Sequence, residues 1–262
     1  MPELPDVEGL RRLLAATAAG QRIGRVAVPA PEILRNTSPQ RLGRALSGSR
    51  LGEPQRHGKW LWAPAGTWAL VLHFGMDGGL SWVGGGELTA RRRSPYDRLV
   101  LSCTRGELRY CSVRKLGGVW LVSGREELTA VTGPQGPDAL SLDLDGLTGC
   151  LAGRRGAVKP TLMDQSVVAG LGNLTVDELL WRAGLHPRVP VSGLDPAQVR
   201  RLHAAMRQVL PAAAMAGRVP GDAGWLTGAR DARNAACPCC GTTLRRSRVG
   251  GRATVWCPGC QH

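Results

Sequence analysis

The chain has 262 residues, 43% hydrophobic and 21% charged, enough for one large or two medium soluble domains; this composition excludes a stapled peptide, a collagen-like rod, a coiled coil and wholesale disorder. Its 34 Lys and Arg outnumber 20 Asp and Glu, so the net charge of +14 calls for a polyanionic partner, nucleic acid before a membrane surface. Arginine-rich coding accounts for there being only three lysines, Lys59, Lys115 and Lys159, but not for the excess of positive charge, which residues 1–140 and 141–262 share at +7 each.

Residues 5–19 place Val7, Leu10, Leu13, Leu14 and Ala18 at helical spacing with Gly20 as a stop, which predicts an amphipathic opening helix. The start shows no basic and apolar leader, and no run of about 18 apolar residues occurs, so the expectation is a cytoplasmic, bacterial-type, nucleoid-associated protein with no membrane partner. Short β-type runs follow at 22–28, 59–63, 68–74, 98–103, 107–112 and 119–122, separated by Gly- and Pro-containing turns, the pattern of a β-sandwich or barrel. Gly133-Pro134-Gln135-Gly136-Pro137 breaks that pattern. Helices are predicted over 143–151, 160–168, 174–183 and from Pro196, the last capped by Asp195 and kinked or ended by Pro211. The organisation expected is a β-rich domain over 1–132, a linker over 133–139, a helical domain over 140–236 and a cysteine module over 237–262.

Three constellations carry chemistry. Cys237-x2-Cys240 and Cys257-x2-Cys260, 16 residues apart, put four thiolates on two tight knuckles that suit one tetrahedral, structural Zn²⁺; redox pairing is the alternative, and Cys239 competes as a ligand. Strands at 244–249 and 252–256 around Gly250-Gly251 make the module a β-hairpin with Arg252 at its tip. From Cys237 onward the chain has Arg245, Arg246, Arg248 and Arg252 and no acidic residue, so this ribbon is expected to meet phosphate. In Gly170-Leu171-Gly172-Asn173 the glycines permit close backbone approach and Asn173 can cap the next helix, whose N-terminus attracts a phosphate; a plain connection between helices is the other reading. At the start, loss of Met1 leaves Pro2 as a secondary α-amine, a group titrating near 7.7–8. Such an amine can attack a sugar aldehyde carbon, with Glu3 beside it to move a proton, though the residues alone also allow a bland Met-Pro start.

Taken together, Pro2-Glu3-Leu4-Pro5-Asp6-Val7-Glu8, Gly58-Lys59, the stretch from Lys159 to Asn173 and Arg252-Ala253-Thr254 leading into Cys257-Pro258-Gly259-Cys260-Gln261 resemble the formamidopyrimidine-DNA glycosylase and endonuclease VIII family, nearer its formamidopyrimidine branch. The resemblance covers the whole chain in order. It implies an α+β fold: an N-terminal helix plus β-sandwich, then a helical helix-two-turn-helix domain with a zinc-ribbon hairpin. It implies a bifunctional enzyme that flips a damaged base out of duplex DNA, attacks C1′ with Pro2 and nicks the strand by β,δ-elimination. By matched position Glu3 is the proton donor, Lys59 a phosphate-contacting residue of the catalytic site, and Asn173, Arg252 and Lys159 bind DNA. Met76 would fill the void left by the base, and Arg114, Lys115 and Leu116 occupy the intercalation loop. The partner implied is damaged double-stranded DNA; one zinc, no organic cofactor and a monomer are expected.

Two departures bear on the lesion. Leu116 stands where the family carries an aromatic, and residues 216–236 do not align with its lesion-capping loop. Preference for 8-oxoguanine is therefore not carried over. An open site would suit oxidised pyrimidines or bulky and crosslinked adducts. A catalytically idle protein that binds distorted duplex is a further alternative, but such a binder has no need of Pro2, Glu3 and Lys59 together.

Overall fold

The computed structural model describes residues 2–87 and 93–262. They form two compact units, Pro2 with Val7–Gly133 and Glu3–Asp6 with Pro134–His262. Helix α1 (Leu4–Thr17) serves both: Val7 and Leu14, with Ala18 just past its end, enter the core of the first unit, and Leu4 that of the second. Its entry is fixed by the Asp6 carboxylate, which accepts from the Glu3 amide at 2.8 Å.

The first unit is a sandwich of two four-stranded antiparallel sheets. Strands β1 (Ile23–Ala27), β5 (Gly79–Gly84), β6 (Asp97–Cys103) and β7 (Gly106–Cys111) form one, in the order β1-β6-β7-β5. Strands β2 (Gln55–His57), β3 (Trp60–Ala65), β4 (Trp68–His73) and β8 (Gly118–Val122) form the other, in chain order. Alternation along β3 sends Leu61, Ala63 and Ala65 inward to meet Leu99, Leu101 and Leu108 of the facing sheet. Helices α2 (Pro39–Leu46) and α3 (Arg125–Thr132) and strands β2 and β5 are additions to the sequence reading. Helix α2 buries only Leu42 and Leu46, too short a period to read, although Ser38 caps it and Pro39 opens it.

The second unit contains α4 (Leu144–Leu151), α5 (Val158–Met163), α6 (Asn173–Ala183), α7 (Pro196–Ala216) and the short α8 (Leu226–Ala229). The hairpin of β9 (Arg245–Val249) and β10 (Arg252–Trp256) follows. Helix α5 stops before 168 because the Asp164 carboxylate accepts from the Ser166 amide and hydroxyl at 2.9 and 2.7 Å, an Asx turn that competes with the helical ladder. Pro211 neither ends nor splits α7. Pro211 and Arg207, the residue whose carbonyl it gives no amide donor, are both on the exposed side of α7, where solvent can reach, while Val209, Leu210, Ala213 and Ala214 keep packing on either side. Among the described residues no helix is long and apolar enough to cross a membrane.

Candidate active site and metal centre

In the second unit Glu3 is buried, and its carboxylate receives three hydrogen bonds from the start of α6. The Leu174 amide donates at 2.8 Å, the Thr175 amide at 2.9 Å, and the Thr175 hydroxyl donates as well. A carboxylate on the free N–H groups of a helix N-terminus meets both their hydrogen-bonding need and the positive end of the dipole. The Leu4 amide donates to the Gly170 carbonyl at 3.0 Å, which holds the next residue as well. The glycine turn is therefore explained differently from the sequence reading. A Cβ on Gly172 would lie 2.1 Å from the Glu3 carboxyl carbon, and one on Gly170, at φ 105°, would lie 2.6 Å from a Leu4 methyl. The close approach those glycines permit is used by the chain's own first residues. Asn173 is the first residue of α6, after the extended Gly172 at the cap position, so it does not cap the helix. Its buried Oδ1 has no hydrogen-bond partner among the described residues. Rotating the amide would exchange oxygen for nitrogen and leave a donor there instead. Pro2, half-buried, precedes Glu3; Met1 lies outside the described residues.

In the first unit Lys59 sits in the two-residue turn between β2 and β3, where Gly58 takes φ 56°. The next residue, Trp60, packs on His73 and Trp120 with ring centroids 4.8 and 5.1 Å away. Burial, with the nearby Lys59 charge, lowers the His73 pKa to about 4, so the ring is neutral and its Nδ1 accepts from the Gly75 amide at 3.3 Å. That bond holds the turn carrying Met76, which is 44% exposed. The turn is locked to the 112–117 loop: Asp77 accepts from the Ser112 hydroxyl at 2.9 Å and the Arg114 amide at 2.7 Å, and Arg114 approaches the Met76 sulfur at 3.4 Å. A Cβ on Gly75 would lie 2.5 Å from the Gly117 amide. Lys115 adopts φ 56° and pairs with Glu32, while Arg35 donates to the Gly117 carbonyl. Met76, Arg114, Lys115 and Leu116, the last 50% exposed, thus form one surface with two apolar prongs and two cations.

The four-cysteine group lies in the second unit. The sulfurs of Cys237, Cys240, Cys257 and Cys260 are all within 4.8 Å of one another, with separations of 3.4 Å for Cys240–Cys257 and 3.8 Å for Cys237–Cys260. A tetrahedral Zn²⁺ with Zn–S near 2.3 Å needs sulfurs about 3.8 Å apart, so one metal ion fits. Cys239 is exposed and outside the group, its amide donating to the Cys237 sulfur at 3.4 Å, as does the Trp181 indole N–H at 3.3 Å. Gly250 and Gly251, at φ 55° and 75°, make the hairpin turn, and Arg252 is exposed beyond it.

Lys159 corrects the sequence reading. It is fully buried, not on a DNA-facing surface, and all three ammonium protons are engaged within the unit. They go to Asp177 Oδ1 at 2.6 Å, the Thr254 hydroxyl at 2.8 Å and the Ala253 carbonyl at 3.1 Å. Burial lowers its pKa while Asp177 supports the charge. Thr175, Asp177 and Arg230 were not anticipated: none lies in a spacing that names a chemistry, and only their contacts reveal them. Cys103, Cys111 and Cys150 are half-buried thiols whose pKa values burial raises, that of Cys103 to about 11, which disfavours the thiolate.

The profile of the formamidopyrimidine-DNA glycosylase N-terminal domain matches residues 1–119, and that of the formamidopyrimidine-DNA glycosylase H2TH domain matches 135–220. Among curated relatives, the formamidopyrimidine-DNA glycosylase of Alkalilimnicola ehrlichii is 35% identical over 279 residues, covering all of both chains. That of Symbiobacterium thermophilum is 36% identical over 275 residues, covering all of this chain and 89% of the other. Among solved structures, Lactococcus lactis formamidopyrimidine-DNA glycosylase bound to DNA with an abasic site superposes at a TM-score of 0.86 with 28% identity, over 99% of each chain. The wild-type enzyme with DNA containing N7-benzyl-Fapy-dG gives 0.87 at 28% identity over both whole chains.

Proposed function

Since the chain belongs to the formamidopyrimidine-DNA glycosylase family, we propose that it removes damaged bases from duplex DNA and cleaves the strand at the resulting site, with Pro2 as nucleophile. The neutral Pro2 nitrogen attacks C1′ as the bond to the base breaks and the departing base takes up a proton from water. The proton then lost by the Pro2 nitrogen is balanced by one passed through Glu3 to the ring oxygen, which opens the sugar as the iminium forms. Loss of the C2′ proton then expels the 3′ phosphate, loss of the C4′ proton expels the 5′ phosphate, and water releases the sugar fragment from Pro2. The observation that carries this reading is the bed of hydrogen bonds under Glu3, which fixes the residue next to the nucleophile to a rigid helix end.

The remaining roles follow from chemistry and exposure. Lys59 and Arg252 supply phosphate contacts, and the side-chain amide of Asn173, whose Oδ1 has no partner among the described residues, suits a third. Met76 and Leu116 enter the base stack as apolar wedges flanked by Arg114 and Lys115. Zn²⁺ bound to Cys237, Cys240, Cys257 and Cys260 holds the ribbon and takes no part in bond making. Borohydride reduction on an abasic duplex is expected to trap the protein covalently through Pro2. Robust trapping with an extra residue left in front of Pro2 would overturn the assignment.

On the lesion, Leu116 offers no aromatic face to the base opposite, and the Lactococcus lactis enzyme is seen with a benzylated ring-opened purine. We therefore assign ring-opened purines, bulky ones included, as substrates handled at least as well as 8-oxoguanine, with weak discrimination of the opposite base. A strong preference for 8-oxoguanine opposite cytosine in single-lesion duplexes would overturn this.

A further inference from the structure

Segment 216–236 and Lys159 meet at one buried network that the proposed chemistry leaves unused. Asp177, on α6, accepts at Oδ1 from Lys159 and at Oδ2 from both the Arg230 guanidinium and the Val255 amide, the last at 3.1 Å. Arg230, just beyond α8, also donates to the Ala253 carbonyl at 3.3 Å, beside the Lys159 bond to the same oxygen. The Thr254 hydroxyl, which accepts from Lys159, donates to the carbonyl of Arg252 itself at 3.1 Å. Three segments far apart in sequence therefore bind the backbone of residues 252–255. None of the three charges reaches solvent appreciably: Lys159 is 0%, Asp177 1% and Arg230 8% exposed. Next to them Glu178, fully buried, ion-pairs with Arg182 and accepts from the Thr227 amide, so the 225–230 stretch is bound to α6 at two successive residues. The hairpin tip rests on α5, where a Cβ on Gly250 would come within 2.8 Å of Pro160.

We propose that Lys159, Asp177 and Arg230 are positioning residues that hold Arg252 in place for a DNA phosphate, and that the segment carrying Arg230 acts here as a strap on the ribbon. This rests on the reading of Arg252 as a phosphate contact. A carboxylate between two cations is costly to bury, and an apolar contact would fasten the hairpin as well. What the ionic arrangement adds is direction: each partner fixes a particular backbone group within three residues of Arg252, so the guanidinium starts from a defined strand position.

The test is a double-mutant cycle on the full metal-loaded chain, with binding to a tetrahydrofuran-containing duplex followed by anisotropy from low to high salt. Arg252→Ala is expected to weaken binding about tenfold and to reduce the slope of log Kd against log salt by about one. Arg230→Met should weaken binding about fivefold in the parent and less than about twofold when Arg252 is already alanine, because coupled sites are not additive. Thr254→Val, nearly isosteric, cuts only the link from Lys159 to the Arg252 carbonyl and should show the same dependence more mildly. It serves if Arg230→Met loses its metal or fails to fold. Equal fold losses in both backgrounds would overturn the clamp while leaving the phosphate contact standing. Unchanged binding by Arg252→Ala would overturn both.

Discussion

Gly172 and Thr175 define the residue scale, because both act on Glu3 without touching DNA chemistry themselves. Gly172→Ala puts a methyl 2.1 Å from the Glu3 carboxyl carbon, and the acid must leave its bed. Base excision under single-turnover conditions should fall by about 10²-fold or more, the contribution of a positioned acid, while binding to an uncleavable abasic analogue stays within a few-fold. Thr175→Val removes one of three hydrogen bonds and should cost about tenfold, one charge-assisted bond, with Thr175→Ser close to the parent. His73 gives a pH signature. Its folded pKa is about 4 against 6.5 ordinarily, so between those values the unfolded chain takes up a proton that the folded chain refuses. This contribution to stability is full above pH 6.5 and is lost as pH falls toward 4, by roughly 3 kcal/mol in all. His73→Asn, which keeps an acceptor for the Gly75 amide, should unfold in urea with a visibly shallower pH dependence across that window. Identical pH slopes would remove His73 from the account.

Among the elements, α7 and the ribbon make separate predictions. Pro211→Ala restores a backbone donor within a continuous helix, a gain of up to about 3 kcal/mol in propensity set against about 1 kcal/mol from a freer unfolded chain. A net rise of about 1–2 kcal/mol in urea stability is expected, and a fall would mean that α7 is built around the proline. Chelating the metal should abolish DNA binding and leave the circular dichroism of the sandwich in place, because the four sulfurs close only the ribbon. The sequence made several elements legible for local reasons. The β-type runs of β3 and β7 between their turns, the Asp195 cap of α7 and the two CxxC knuckles each carry their signal within a few residues. It was silent on Arg230 and Asp177, whose meaning lies in partners dozens of residues away. It misjudged Lys159 because a motif reports a residue type and not which way the ammonium faces. The glycine turn was located correctly, and the close approach its glycines allow is taken up by Glu3 and Leu4.

For the whole molecule, the chain is threaded so that Leu4 packs in the core of the second unit although α1 from Val7 onward belongs to the first. Leu4→Ala should therefore destabilise the second unit by about 2–5 kcal/mol, the range for a buried leucine, and hydrogen exchange should speed up in α6 before it does in the sandwich strands. The same threading sets a timetable during synthesis. Glu3 and its hydrogen-bond partner Leu174 are 171 residues apart, so at about 5–20 residues per second the ribosome takes roughly 10–35 s between making the acid and making its bed. Through that interval Glu3 and Leu4 have no helix end or core to join, although Pro2 groups with the first unit. On the proposed chemistry, a nascent chain shorter than about this length lacks the support for Glu3 and should not cut DNA.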